Sequence, residues 1–250
     1  MQNNKTEEII DSECEGVLIS GDIAEATCLE AILKEMLDYI QKPIYFVLGN
    51  HDYYRGKINE VRSAMVALTK AHKNLFWLPA SGIQKLTHDT FLVGQDGWAD
   101  GRFGDYENSR VALNDSRMIA DLFQAKILGR PELLRKMQAL ADEDAMSLQR
   151  DLDQAISESP KKIVVLTHVP PFKEACLYQG KISGDDWLPY FSSKIIGDVL
   201  TKATQENPKI EFLVLCGHTH GKANYHWSDN LMVEVGSAEY YQPEIQKVIL

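Results

Sequence analysis

Short apolar runs recur along this chain, and several break off abruptly into polar clusters of glycine, aspartate, asparagine and histidine. Gly16–Ser20 leads into Gly21-Asp22, and Ile44–Leu48 into Gly49-Asn50-His51-Asp52. Ile163–Leu166 leads into Thr167-His168, and Phe212–Cys216 into Gly217-His218-Thr219-His220. Runs this short and apolar read as strands buried on both faces, as in sheets covered by helices. Helical periodicity separates them. Ala24–Gln41 carries Leu29, Ile32, Leu33, Met36, Leu37 and Ile40 at helical spacing before Pro43, and Lys57–Lys73 is a second amphipathic helix. The pattern predicts an α/β fold with its polar clusters at the carboxyl ends of strands, where such sheets place their sites.

Further strands are expected at Phe76–Leu78, Ile83–Leu86, Phe91–Gly94, Leu231–Val235 and Ile245–Ile249, with a hairpin turn at Thr87-His88-Asp89-Thr90. Helices are expected at Ser109–Leu128, Pro131–Glu158 and Ser192–Gln205. The first two form a helical insertion or cap at about 109–158, or else a solvated outer layer. No repeat or linker interrupts residues 1–250, so one domain is the simplest reading. Hydrophobic residues make up 44% and charged residues 25% of the 250, enough for a sizeable core. The net charge of -10 repels nucleic acid and anionic lipid, which argues against both as partners. A small phosphorylated substrate stays compatible, because bound metal ions reverse the local field.

Cys14, Cys28, Cys176 and Cys216 form no CxxC pair. Cys28 and Cys216 lie in apolar surroundings and read as buried thiols, which suits a reducing compartment. The start, MQNNKTEEII, has neither the basic flank nor the apolar stretch of a secretory leader, and no run approaches the ~20 apolar residues of a membrane span. A cytoplasmic location is expected. Oligomeric state is left open.

Carboxylate oxygen, amide oxygen and imidazole nitrogen are ligands suited to Mn, Fe, Zn or Ni. One histidine at a strand end is ordinarily just a satisfied polar residue. Several such clusters in one chain predict a shared metal site.

The order GD, GNHD, isolated His168, GHTH resembles the calcineurin-like metallophosphoesterases, from about Gly16 to the end. The tail, through Gly236-Ser237-Ala238 and Tyr241-Gln242-Pro243, is similar to that family's closing strands. The resemblance implies two packed mixed β-sheets flanked by helices, and hydrolysis of phosphomonoesters or phosphodiesters at a two-metal site. By the same resemblance, Asp22 bridges both ions, Asn50, His168 and His218 bind the second ion, and His220 binds the first. His51 protonates the leaving group, and Asp52 either orients its ring or is a simple loop cap. The family opens with a strand ending in Asp-x-His. Here no Asp-x-His precedes Gly21-Asp22, the only upstream aspartate is Asp11, and no histidine precedes His51. The first strand is therefore expected to be missing, with one ion bound firmly and the other by Asp22 and His220 alone. A non-catalytic or impaired binding or scaffold protein is the alternative reading.

The Asp96–Asn108 and Tyr178–Tyr190 loops are expected to line the pocket. Trp98, Phe103, Trp187 and Tyr190 either stack on a base or sugar or belong to the core. Arg55 or Arg102 either clamps a phosphate or is a surface cation.

Overall fold

A computed structural model describes residue 9, residues 13–239 and residues 244–249. Asp11 and Tyr241-Gln242-Pro243 lie outside these residues.

Strands β1 (Val17–Ile19), β2 (Ile44–Phe46) and β3 (Leu75–Trp77) form a parallel three-stranded sheet in that order. A six-stranded mixed sheet is built from β4 (Gln84–Lys85), β5 (Thr90–Gly94), β6 (Lys162–Leu166), β9 (Glu211–Cys216), β10 (Ala223–Ser228) and β11 (Leu231–Val235). Its order is β10-β11-β9-β6-β5-β4, and β5, β6, β9 and β11 run parallel. A small hairpin of β7 (Leu177–Tyr178) and β8 (Lys181–Ile182) stands apart, and α3 (Leu78–Ser81) and α7 (Leu188–Phe191) are four-residue helical turns.

The two sheets face each other across Val47, Leu78, Leu92, Val164 and Leu166. The intervening residues of the same strands, Phe91, Val93, Ile163 and Val165, point the other way. There they meet α6 (Arg130–Ser157) through Leu148 and Leu152, and α8 (Lys194–Glu206) through Ile196 and Leu200. Successive side chains of a strand alternate faces, so a strand covered on both sides must be apolar throughout. That is why the sequence shows unbroken apolar runs. Each such side chain contributes roughly 1.5–3 kcal/mol by leaving water.

The three-stranded sheet is covered by α1 (Leu29–Ile40) and α2 (Ile58–Ala71), which bury Leu29, Leu33, Ile58 and Met65 against Phe46. Gln41 ends α1 in the left-handed region at φ 50, just ahead of the predicted Pro43 stop. The layering is helix, sheet, sheet, helix, as the sequence implied.

Helix α6 spans 28 residues, with Pro131 in its first turn. Its buried stripe runs from Leu133 to Ala155 and includes two carboxylates, Asp144 and Asp151. Asp144 accepts the Gly97 N–H at 2.8 Å and pairs with Arg62 at 3.1 Å. Asp151 accepts from Gln95 Nε2 at 2.9 Å. Both tie the helix to the segment that follows β5.

Three expectations need correction, and β10 went unforeseen. The helix expected over Ser109–Leu128 is two short ones, α4 (Asp115–Met118) and α5 (Ala120–Ile127). Ile119 between them is extended, at φ -99 and ψ 118, which drops its side chain fully into the core. Residues 244–249 form no strand. Ile249 instead packs at the edge of the inter-sheet core, and Lys247 pairs with Glu234. Strand β10 escaped prediction because only its first residue is buried and it carries a bulge between His226 and Ser228. Cys28 is exposed at the start of α1, whereas Cys216 is buried. Among the described residues no helix is long and apolar enough to cross a membrane.

Candidate metal centre

Parallel pairing brings the polar clusters together two by two. Ile19 stands opposite Phe46, so Gly21-Asp22 lies beside Gly49-Asn50. Leu166 stands opposite Leu215, so Thr167-His168 lies beside Gly217-His218. One bond then joins the two pairs across the sheets: His168 Nδ1 donates to the Ser20 carbonyl at 2.7 Å. The fit depends on glycine. A Cβ on Gly49 would stand 2.2 Å from Asp22 Oδ1 and 2.7 Å from His168 Cε1. Gly21 has φ +95, and a Cβ there would stand 2.6 Å from His168 Nδ1.

Three side-chain atoms converge at the junction. His168 Nε2 and Asn50 Oδ1 are 3.0 Å apart, Asn50 Oδ1 and His218 Nδ1 3.0 Å, and His168 Nε2 and His218 Nδ1 3.2 Å. Their protonation follows from their other partners. A backbone carbonyl can only accept, so the nitrogens facing Ser20 O and Tyr190 O carry protons. A neutral imidazole has only one. A ring with that single proton turns the lone pair of its other nitrogen, His168 Nε2 or His218 Nδ1, toward the Asn50 oxygen. Burial, followed by the neighbouring His168, lowers the His218 pKa to about 4, so it takes no second proton at neutral pH. With the Asn50 oxygen turned inward, a metal ion satisfies this convergence.

The spacing suits such an ion. Ligands at right angles about 2.1 Å from an ion stand about 3.0 Å apart, and at the tetrahedral angle about 3.4 Å apart. Asp22 Oδ1 is a fourth candidate, 3.3 Å from His168 Nε2. Burial raises the Asp22 pKa, but His168, His51, His218 and the His51 N–H outweigh it and hold the carboxyl below its usual range. Among the described residues, His, Cys, Asp and Glu side chains alone make up no three-membered metal-holding group; Asn50 supplies the third converging atom.

The backbone at this junction is strained. Asp22, His218 and His220 all lie in the left-handed region, at φ 54, 69 and 58. Such conformations cost about 1–3 kcal/mol each and concentrate at functional sites.

The remaining predicted residues fall around this point. His220 is half-buried, and Asp22, His51 and His168 act on it electrostatically. His51 opens a 3-10 turn, donates its N–H to Asp22 Oδ1 at 3.0 Å and stacks on Tyr54 with ring centroids 4.4 Å apart. Asp52 is fully buried. Its oxygens accept the N–H groups of Ile23, Ala24 and Gly49 at 2.8, 2.8 and 2.7 Å, lacing the GD loop to the GNHD loop. Burial and then the Asp22 charge push the Asp52 carboxyl up, against those three bonds.

Arg55 pairs with Glu25 at 2.8 Å, and Arg102 with Asp100 and Asp142 at 3.0 and 2.7 Å. Trp98 and Tyr190 are buried, whereas Trp187 is 46% exposed and packs on Phe191, whose ring meets His218 edge-on at 5.6 Å.

Two carboxylates central to the site were not singled out from the sequence. Asp96 follows β5, and its side chain accepts from Leu48 N–H, Trp77 Nε1 and the Tyr53 hydroxyl at 2.7, 2.9 and 2.6 Å. Its carbonyl accepts the His168 N–H at 2.9 Å. The signal was available, because Phe91–Gly94 is one more apolar run ending in polar residues. Asp115, on α4, accepts from Asn50 Nδ2 at 2.7 Å, and no motif marks it.

The site thus lies where four strand ends of the two packed sheets meet. The calcineurin-like phosphoesterase family model matches residues 3–222, and the chain belongs to that family. Metal-dependent hydrolysis of phosphate esters is the activity this membership carries. No curated protein matches significantly in sequence. Two solved structures share the fold. The phosphopantetheinyl hydrolase of Mycobacterium tuberculosis matches with TM-score 0.65 and 15% identity, over 90% of this chain and 79% of its own. A dimetal phosphatase from Danio rerio matches with TM-score 0.57 and 13% identity, over 93% and 75%.

Proposed function

We propose that this chain hydrolyses small phosphate esters at a centre whose firm ion, Mn, Fe, Zn or Ni, is held by Asp22, Asn50, His168 and His218. The observation that carries the reading is the convergence of the Asn50 oxygen, His168 Nε2 and His218 Nδ1 within 3.2 Å of one another. Asp22 and His220 are the donors for a second, weaker position, because two protein groups do not fix the geometry on which transition ions rely. Bound divalent ions supply charge neutralisation of the phosphate and acidification of a water.

The chain's own residues do the rest. Ser20 and Tyr190 fix the tautomers of His168 and His218 through their carbonyls, as carbonyls do for metal-ligating histidines generally. Asp52 holds the two loops in register through their N–H groups. His51, stacked on Tyr54 beside the junction, delivers a proton to the departing ester oxygen. Phe191, packed on Trp187 and against His218, gives the site an apolar border that would favour aromatic or apolar esters.

The test is elemental analysis of the purified protein alongside turnover of an aryl phosphate and an aryl phosphodiester. His218→Ala should lose both metal and turnover with the fold retained. Undiminished metal in that variant would sink the centre. Full metal with no turnover of either ester would instead make the protein a binding module.

A further inference from the structure

Asn50 presents its amide oxygen to the histidines, yet an amide can point either way. Rotated by half a turn, it would offer Nδ2–H groups to His168 Nε2 and His218 Nδ1 at about the same distance. In an ion-free protein with both rings neutral that orientation would be locally the better one, because a donor would meet lone pairs. A group outside the histidines holds the oxygen inward.

The neighbours of the amide nitrogen identify it. Asn50 Nδ2 donates to Asp115 Oδ1 at 2.7 Å and lies 3.3 Å from the Tyr54 hydroxyl. The Tyr54 hydroxyl donates to the same Asp115 oxygen at 2.7 Å. Rotation of the amide would set its oxygen against the Asp115 carboxylate, replacing a charge-assisted hydrogen bond with two acceptors in contact. The same carboxylate draws the amide N–H toward itself and leaves the Asn50 oxygen more negative, which makes it a better donor to a cation.

We propose that Asp115, through Asn50, is a positioning residue of the metal centre: it locks the amide in its ion-binding orientation before any ion arrives. The residue sits on α4, a single turn of helix far from every metal-site motif in sequence. Its place is fixed from behind. The Arg55 N–H donates to the Met118 carbonyl at the end of the same turn at 2.7 Å, and Ile119 anchors the next residue in the core. The GNHD loop and α4 are thus one unit, and the 3-10 turn that carries Tyr54 links them.

This inference rests on the metal-centre reading, and the experiment separates the two. Calorimetric titration with Mn and with Zn is run on the parent chain, Asp115→Ala and Asp115→Asn. Ion-free melting temperatures and side-chain 15N shifts of His168 and His218 are measured alongside. Asp115→Ala should bind the ion about 10–100-fold more weakly, the usual cost of removing an outer-shell partner. Its ion-free melting temperature should be unchanged or higher, because the freed amide can rotate to satisfy the histidines. The 15N signals of His168 Nε2 and His218 Nδ1 should move toward values for hydrogen-bonded nitrogen. Asp115→Asn keeps an acceptor oxygen and should stay nearer the parent in both readouts. If Asp115→Ala does not fold, Asp115→Ser, too short to reach Asn50, takes its place. Parent-like affinity in the variant, or ring nitrogens that do not respond, would overturn the proposal. A parent chain that binds neither ion would overturn the metal centre, and the 15N shifts alone would then decide the orientation lock.

Discussion

Gly49→Ala is the smallest change that should dismantle the centre. The added methyl would sit 2.2 Å from Asp22 Oδ1, 2.5 Å from the Asp22 backbone nitrogen and 2.7 Å from His168 Cε1. Carbon needs about 3.5 Å from such neighbours, so one or both must retreat by about an ångström. Neither yields cheaply. Asp22 is held by the His51 N–H and by its own left-handed backbone, and His168 by the Ser20 carbonyl. Over-packing of this kind costs about 1–3 kcal/mol, and in a chain of this size each kcal/mol lowers the melting temperature by about 2–4 °C. A drop of about 2–12 °C in the ion-free protein is expected. The effect on the ion should be larger, since ligand distances tolerate only about ±0.2 Å. Gly184→Ala is the control, because a Cβ there meets nothing within 4 Å. The assay is differential scanning calorimetry with and without Mn, followed by Mn titration. Should Gly49→Ala melt like Gly184→Ala and bind Mn as the parent does, the close-approach reasoning would be wrong.

His51→Ala should slow hydrolysis by about 10²–10⁴ for alkyl phosphates and far less for nitrophenyl phosphate, whose leaving group needs no proton; equal loss for both would remove the acid role. Arg62→Met strands Asp144, whose carboxyl burial pushes up to about 7 against the pull of Arg62. Such a raised carboxyl adds stability below its ordinary 3.8 that is lost as pH rises through about 7, so the variant's deficit in urea unfolding should approach 3–5 kcal/mol at pH 8 and shrink at pH 5. Cys28 is exposed, while burial, then Glu174, raises the Cys176 thiol to about 12 and burial raises Cys216 as well. A thiol reagent at pH 8 should label Cys28 in the native protein, and reach Cys176 and Cys216 only in denaturant.

What the sequence revealed and what it hid divide along a physical line. Strands buried on both faces wrote themselves as apolar runs, and the polar residues that ended them stood out by contrast, so Asp22, Asn50, His168, His218 and their glycines were legible. The edge strand β10 was not, because a half-exposed strand carries a mixed signal. Nor was the break at Ile119, where one extended residue inside a helical stretch serves a distant core contact. Asp52 illustrates a subtler limit. Its position beside His51 suggested a partner for the ring or a loop cap, and nothing local announced that it would accept three backbone N–H groups from two loops. Asp115 is separated from Asn50 by 65 residues, and no local pattern announces that pairing.

The donors of the proposed centre come in equal measure from the two sheets: Asp22 and Asn50 follow β1 and β2, and His168 and His218 follow β6 and β9. An ion among them would act as a rivet through the sandwich, on top of the apolar contacts and the Ser20 bond that already join its halves. Loading would be felt far from the loops. Amides along β2 and β6 would exchange with solvent more slowly, and cleavage of chains that transiently part along the seam would fall, by a factor set by ion concentration over its dissociation constant. Resistance of the whole fold to proteolysis would then track the supply of the metal.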